Sequence, residues 1–192
     1  MNTFLLQVVI AFIYGFFNDF SDLLDEHGLR WFPGATVLTG IIWAVAGVLL
    51  MISYPPIAMY EIGILLFWLV AGKLDYFNHQ LAAAIIFITA FWQFQQGMLS
   101  LSWVVLSFLI IWGLSLLAKR IKRKYGNLAI LHIRHFVVPA VLSFLVGNPL
   151  PSLLHGFAML GCFLSDRWFV AFEKHQKTSW YRRLGFSIMS SP

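Results

Sequence analysis

Long apolar stretches alternate with short polar or Pro- and Gly-containing segments along most of the chain. A helix needs about 20 residues to cross the hydrocarbon core of a bilayer, so this pattern predicts an all-α transmembrane helical bundle with about seven spans. The predicted spans lie near residues 3–20, 35–53, 56–72, 76–95, 98–118, 128–147 and 150–172. Six spans are an alternative, because the third stretch is short and Gln93, Gln95 and Gln96 interrupt the fourth.

The chain offers no linker long enough to divide it into domains, so residues 1–172 are expected to form one transmembrane helical domain. Residues 173–192 mix Lys and Arg with aromatic side chains, and we expect this cytoplasmic tail to lie at the membrane interface. No Lys or Arg precedes residues 3–17, as it would in a signal peptide. The first apolar stretch is therefore predicted to be a retained span.

The composition favours a multi-pass protein of the cell membrane. Of 192 residues, 60% are hydrophobic and 11% are charged, which is unlike a soluble domain. The 13 Lys and Arg exceed the 8 Asp and Glu, but orientation in a membrane explains this excess better than nucleic-acid binding does. The single cysteine, Cys162, allows neither a disulfide framework nor a cysteine-based zinc site. Membrane lipids are the expected partners.

The charged residues predict the orientation of the bundle. Seven spans place residues 18–34, 73–79, 119–127 and 173–192 on one side, and all Lys and Arg lie there or nearby. The positive-inside rule makes this side cytoplasmic, with the N-terminus outside and the C-terminus inside. Seven of the eight acidic residues lie there as well, while Glu61 is expected to be an interfacial carboxylate near the outer end. This gathering of charge indicates a polar site, although solvated loops alone would also collect charges.

Acidic residues follow directly on the first apolar stretch. If the helix continues, Asp19, Asp22 and Glu26 fall within about 60° of one another on one face. Such a face can hold Mg²⁺, which takes one or two carboxylates and completes its shell with water and phosphate oxygens. The alternative is a solvated acidic helix end.

The pattern Asn-Asp-x-x-Asp-x-x-x-Glu at Asn18, Asp19, Asp22 and Glu26 resembles the first aspartate-rich motif of the UbiA-type intramembrane prenyltransferases. The resemblance covers about nine residues, and it implies Mg²⁺ bound against a prenyl diphosphate at a cytoplasmic helix end. Glu26 stands where the family usually has Asp, and the chain is shorter than a nine-helix member. A second aspartate-rich motif is matched only at Asp75.

A second polar segment connects the third and fourth apolar stretches. Lys73 is a candidate phosphate contact, Asp75 and His79 are candidate catalytic residues for proton transfer, and Asp75 could also bind metal. The alternative is an ordinary polar connection between helices.

Arg134, His135 and Arg167 are further candidate substrate-binding residues near span ends. Ionisable groups near the hydrocarbon boundary suggest function, so Arg134 is the preferred phosphate contact of the three. Interfacial anchoring would also explain Arg134 and His135, and Arg167 could simply pair with Asp166.

Two functions from different classes fit these residues. The first is a Mg²⁺-dependent enzyme that transfers or hydrolyses a phosphorylated prenyl or glyceryl lipid at the cytoplasmic face. The second is a small transporter, channel or substrate-binding membrane subunit. The second lacks an obvious charged residue at mid-membrane, where transporters bind their substrates.

Overall fold

The computed structural model describes residues 3–125, 134–175 and 186–188, and within these residues the chain is almost entirely helical. The helices are α1 (Thr3–Asp25), α2 (Ala35–Ser53), α3 (Pro55–Val70), α4 (Phe77–Gln95), α5 (Leu101–Tyr125), α6 (Arg134–Leu145) and α7 (Leu150–His175). Two short strands, β1 (Leu29–Arg30) and β2 (Ser187–Ile188), complete the described elements. Every apolar stretch forms a helix, as predicted.

Three helices are long and apolar enough to cross a membrane: Thr3–Asp25, Ala35–Ser53 and Leu101–Arg123. Pro55–Val70 and Phe136–Leu145 are shorter apolar helices. Large apolar side chains such as Val45, Ile88 and Leu109 point out of the bundle. An outer surface of this kind suits hydrocarbon better than water.

Helices α1 and α7 pack at backbone distance. A Cβ added at Gly15 would collide with the backbone of Ala158, and one added at Gly161 would collide with the backbone of Phe12 and Phe16. Small residues therefore allow the close approach, as predicted for Gly161. Gly156, also predicted to serve packing, faces open space instead.

Helix α2 packs closely against two other helices through its small residues. A Cβ at Gly40 would meet Asn78 of α4, and a Cβ at Gly47 would meet Tyr14 of α1. Ala44, between them, is fully buried. The predicted packing role of these three residues is confirmed, and it brings the beginning of α4 beside α2.

A short antiparallel strand pair joins two distant parts of the chain. Leu29 pairs with Ile188 and Arg30 with Ser187. The Phe186 ring stacks on Trp31, with centroids 4.8 Å apart, and also contacts Phe20 and Trp168. The link between α1 and α2 therefore lies beside the residues that follow α7. We call this end of the bundle, where α1, α3, α5 and α7 end, the polar end.

Candidate functional site

A cavity opens at the polar end where the last residues of α1 meet the connection between α3 and α4. Its volume is about 310 Å³. It is lined by Asn18, Asp22, Glu26, Trp68, Gly72, Lys73, Asp75 and His79. The structure thus brings together the two polar segments that sequence reasoning treated separately.

The α1 side of the cavity is a single stripe of one helix. Asn18, Asp22 and Glu26 are spaced by four residues, which places them one above another on a helix face. The helical hydrogen bonding continues to the end of this stripe, because the Glu26 amide donates to the Asp22 carbonyl oxygen at 2.7 Å. Helix geometry therefore aims three polar side chains at the same opening.

The opposite wall begins with the end of α3. Gly72 has a positive φ of 66°, a conformation that favours glycine. The Gly72 amide donates to the Leu69 carbonyl and the Lys73 amide to the Trp68 carbonyl, at 3.3 and 2.9 Å. This is the Schellman arrangement that ends many helices. It fixes the backbone at Lys73, so that this residue lines the cavity directly after the turn.

His79, in the first turn of α4, is the most constrained ionisable group of the cavity. Its Nε2 lies 2.6 Å from Asp22 Oδ1, and its side chain is only 8% exposed. The edges or faces of Trp43 and Tyr76 meet the imidazole ring at centroid distances of 5.8 and 5.9 Å. The His79 backbone amide donates to Asn78 Oδ1 at 2.8 Å. One carboxylate and two aromatic rings therefore fix the imidazole in place.

Carboxylates dominate the charge of the cavity. Asp22, Glu26 and Asp75 face a single lysine, Lys73, together with His79. Tyr76 reports the resulting field, because partial burial and the carboxylates of Glu26 and Asp75 raise the pKa of its phenol. A site of this charge attracts cations. A phosphate group would fit only together with a cation that offsets the carboxylates.

Asp19 does not line the cavity, although sequence reasoning grouped it with Asp22 and Glu26. Its carboxyl group lies near Ser165 and Asp166 of α7, and its Oδ2 atom is buried without a hydrogen-bond partner. The cause is the close packing of α1 on α7. An angle of about 60° around the helix, between residues 19 and 22, is enough to turn Asp19 toward the neighbouring helix.

The other predicted phosphate contacts are not part of the cavity as described. Arg167 is exposed, and its guanidinium carbon lies 5.0 Å from the centre of the Phe163 ring on the same helix. Arg134 begins α6, but the side chains of Arg134 and His135 lie outside the described part of the structure. Lys73 is therefore the predicted phosphate contact that the cavity contains.

Within residues 3–125, 134–175 and 186–188, no three His, Cys, Asp or Glu side chains are grouped closely enough to hold a metal ion. Mg²⁺ needs fewer protein ligands than this, because one or two carboxylates with water and substrate oxygens complete its shell. Asp22 and Glu26, one helical turn apart on the cavity wall, supply such a pair. The donor set fits Mg²⁺, and its binding stays a prediction.

Sequence reasoning missed a second polar pair in the interior of the bundle. Glu61 is 4% exposed, and its Oε2 accepts a hydrogen bond from the Tyr14 hydroxyl at 2.5 Å. The expectation of an interfacial carboxylate was wrong. Trp43 lies between this pair and the cavity, because its ring is 6.2 Å from that of Tyr14 and 5.8 Å from that of His79. No spacing signal could reveal partners that are 47 residues apart.

Comparison with known proteins yields no relative. No family model matches the chain, and neither the curated proteins nor the solved structures contain a significant match. The resemblance to the UbiA-type motif therefore remains a prediction that rests on the residues of α1.

Proposed function

We propose that the chain is a multi-pass membrane enzyme that uses Mg²⁺ to act on a phosphorylated prenyl or glyceryl lipid, by transfer or hydrolysis. The observation that supports this proposal is the convergence of Asp22 and Glu26 with Lys73, Asp75 and His79 in one cavity. These residues combine metal ligands, a phosphate contact and proton carriers.

The proposal includes an orientation for the bundle. All seven helices cross the membrane, the N-terminus is outside and the cavity faces the cytoplasm. Lys119 and Arg120, near the end of α5, lie at the same end as the cavity, as the positive-inside rule requires. The strand pair supports the same arrangement, because it keeps the residues after α7 beside the link between α1 and α2.

Asp22 and Glu26 would hold the metal, and Lys73 would contact the phosphate. Bound Mg²⁺ would supply positive charge to offset the negative charge that develops on the departing phosphate group. This division of roles follows from the charge of the cavity, since Lys73 alone does not balance three carboxylates. Phosphate binding should therefore depend on the divalent cation.

His79 and Asp75 would handle the proton. The imidazole of His79, held by Asp22, accepts a proton from the incoming hydroxyl or water as its oxygen attacks. Asp75 is exposed at the rim of the cavity and can return the proton to bulk water. His79 is thus assigned the catalytic proton transfer and Asp75 the exchange with solvent.

Thermal stability of the purified protein in detergent provides the test. Mg²⁺ together with geranylgeranyl diphosphate or phosphatidic acid should raise the unfolding temperature more than either component does alone. Asp22→Asn and Glu26→Gln should abolish this rise. Asp19→Asn is the matched control, because Asp19 is on the same helix but outside the cavity. No rise in the wild type, or an equal rise in all three variants, would contradict the proposal.

The buried Tyr14–Glu61 pair favours a second candidate, a small proton- or cation-coupled transporter. Glu61 is the seventh of the 16 residues of α3, which places a carboxyl group near the middle of that helix. Ionisable residues at such depth commonly mark ion or proton pathways. Proteoliposomes would show a flux that Glu61→Gln abolishes and Asp22→Asn spares, whereas the enzyme proposal expects no such flux.

A further inference from the structure

A groove runs between α3 and α5 directly beside the cavity. The two helices touch at Gly63, where an added Cβ would meet Ser107 of α5 at 2.8 Å. Both helices run toward the polar end, and the groove opens between them beyond this contact, from Ile64 and Ile111 to Lys73 and Lys119. From Ile64 to Lys73 the groove is about 14 Å long, at 1.5 Å per helical residue.

The groove is apolar along its length and basic at its polar end. Ile64, Phe67 and Trp68 of α3 face Ile111 and Leu114 of α5 across a volume of about 180 Å³. Lys73 and Lys119 lie where the groove reaches the polar end. An apolar slot that ends in two cations matches a hydrocarbon chain that carries a phosphate.

The groove communicates with both the cavity and the outer surface of the bundle. Trp68 and Lys73 line the groove and the cavity alike. On the other side, Phe67 and Lys119 also line a second depression that includes Val70 and Leu116, both more than half exposed. A chain lying in the groove could therefore come from the bilayer while its headgroup reaches the carboxylates.

We propose that the α3–α5 groove binds the hydrocarbon chain of a lipid phosphate, with Lys73 and Lys119 contacting the phosphate at the mouth of the cavity. The inference rests on the proposed function and adds the substrate class to it. The substrate is a membrane-resident amphiphile that enters sideways from the lipid. A small water-soluble phosphate ester is not the substrate.

Photo-crosslinking locates the chain. A prenyl diphosphate with a diazirine at the end of its chain, added to the full-length protein with Mg²⁺, should label residues near Ile64 and Ile111. Excess unlabelled prenyl diphosphate should suppress this labelling. Labelling spread evenly over lipid-facing residues such as Val45 and Ile88, without competition, would overturn the groove assignment.

Blocking the groove tests it by binding. Ser115 lines the groove, so Ser115→Trp should weaken binding of geranylgeranyl diphosphate by about tenfold or more, because the apolar chain loses its place. Leu117→Trp adds the same bulk to an exposed position of the same helix and should change little. If Ser115→Trp does not fold, Lys119→Gln replaces it, with an expected loss of about fivefold that Lys119→Arg restores.

Inorganic diphosphate with Mg²⁺ separates the two proposals, because this ligand has no hydrocarbon chain. It should stabilise Ser115→Trp as much as the wild type. If inorganic diphosphate stabilises the wild type while Ser115→Trp binds the prenyl ligand normally, the groove is wrong and the cavity stands. If neither ligand stabilises any form, the proposed function itself fails.

Discussion

The bundle holds carboxylates in two contrasting environments. In the cavity, Asp22 keeps a 39% exposed side chain and shares the space with other charged groups, whereas Glu61 is 4% exposed and is hydrogen-bonded to the Tyr14 hydroxyl. Water and neighbouring charges stabilise the first kind of group, and a hydrogen bond in dry surroundings stabilises the second. The cavity can exchange ligands, while the buried pair is suited to holding a proton.

The same substitution should have opposite consequences in the two environments. Glu61→Lys places an ammonium group in the interior without a counter-charge, and we expect a loss of about 3–5 kcal/mol in the free energy of unfolding. Glu26→Lys, at an exposed position, should change it by about 0.5 kcal/mol or less. Reversible denaturation in mixed detergent micelles measures both. Similar losses would mean that Glu61 is not in a dry site.

Removing one hydroxyl group tests the buried pair more gently. Tyr14→Phe leaves the Glu61 carboxyl without its donor, which should cost about 1–3 kcal/mol of stability. The response to Mg²⁺ should stay unchanged, because Tyr14 does not line the cavity. Tyr76→Phe is the control of equal chemistry near the cavity, with little expected change in stability. A neutral Tyr14→Phe would indicate that the pair contributes nothing to the fold.

Asp22→Asn should have a smaller effect on stability than either change at the buried pair. The contact between Asp22 and His79 is partly exposed, so solvent screens it, and its loss should cost about 0.5–1 kcal/mol. Nitrogen NMR of labelled histidine should show a changed His79 imidazole. Asp75→Asn, at the exposed rim, should leave that signal in place. An unperturbed His79 signal in Asp22→Asn would remove the basis for its catalytic role.

Salt should reveal the smallest difference between the two environments. Raising the ionic strength from about 0.1 M to about 1 M shortens the screening length from about 10 Å to about 3 Å. The stability difference between the wild type and Asp22→Asn should shrink by about 0.3–0.5 kcal/mol, because exposed charges are screened. The difference between the wild type and Tyr14→Phe should not change. Equal salt dependence of both differences would remove the distinction.

Much of the helical framework and part of the site could be predicted from the sequence. Apolar stretches separated by Gly and Pro marked the helices, since each stretch is long enough to show its character without tertiary context. Asp22, Glu26, Lys73, Asp75 and His79 were identified because polar groups at helix connections stand out in an apolar chain. The structure then brought these predicted residues into one cavity.

The features that sequence reasoning missed all depend on contacts between distant segments. Asp19 turns toward α7 because glycines let α1 and α7 touch, and this packing is invisible on a helical wheel. Glu61 is buried because Tyr14 arrives from another helix. The strand pair is only two residues long on each side, which is too short for an alternating pattern.

The strand pair also determines how the chain can be handled. Shortening the protein after His175 would keep every described helix, but the backbone of Leu29 and Arg30 would lose its partner strand. Trp31 would lose the ring stacked on it, and an aromatic patch would become sticky. A purification tag attached next to Ile188 would crowd the same patch, so the opposite end of the polypeptide is the better place for a label.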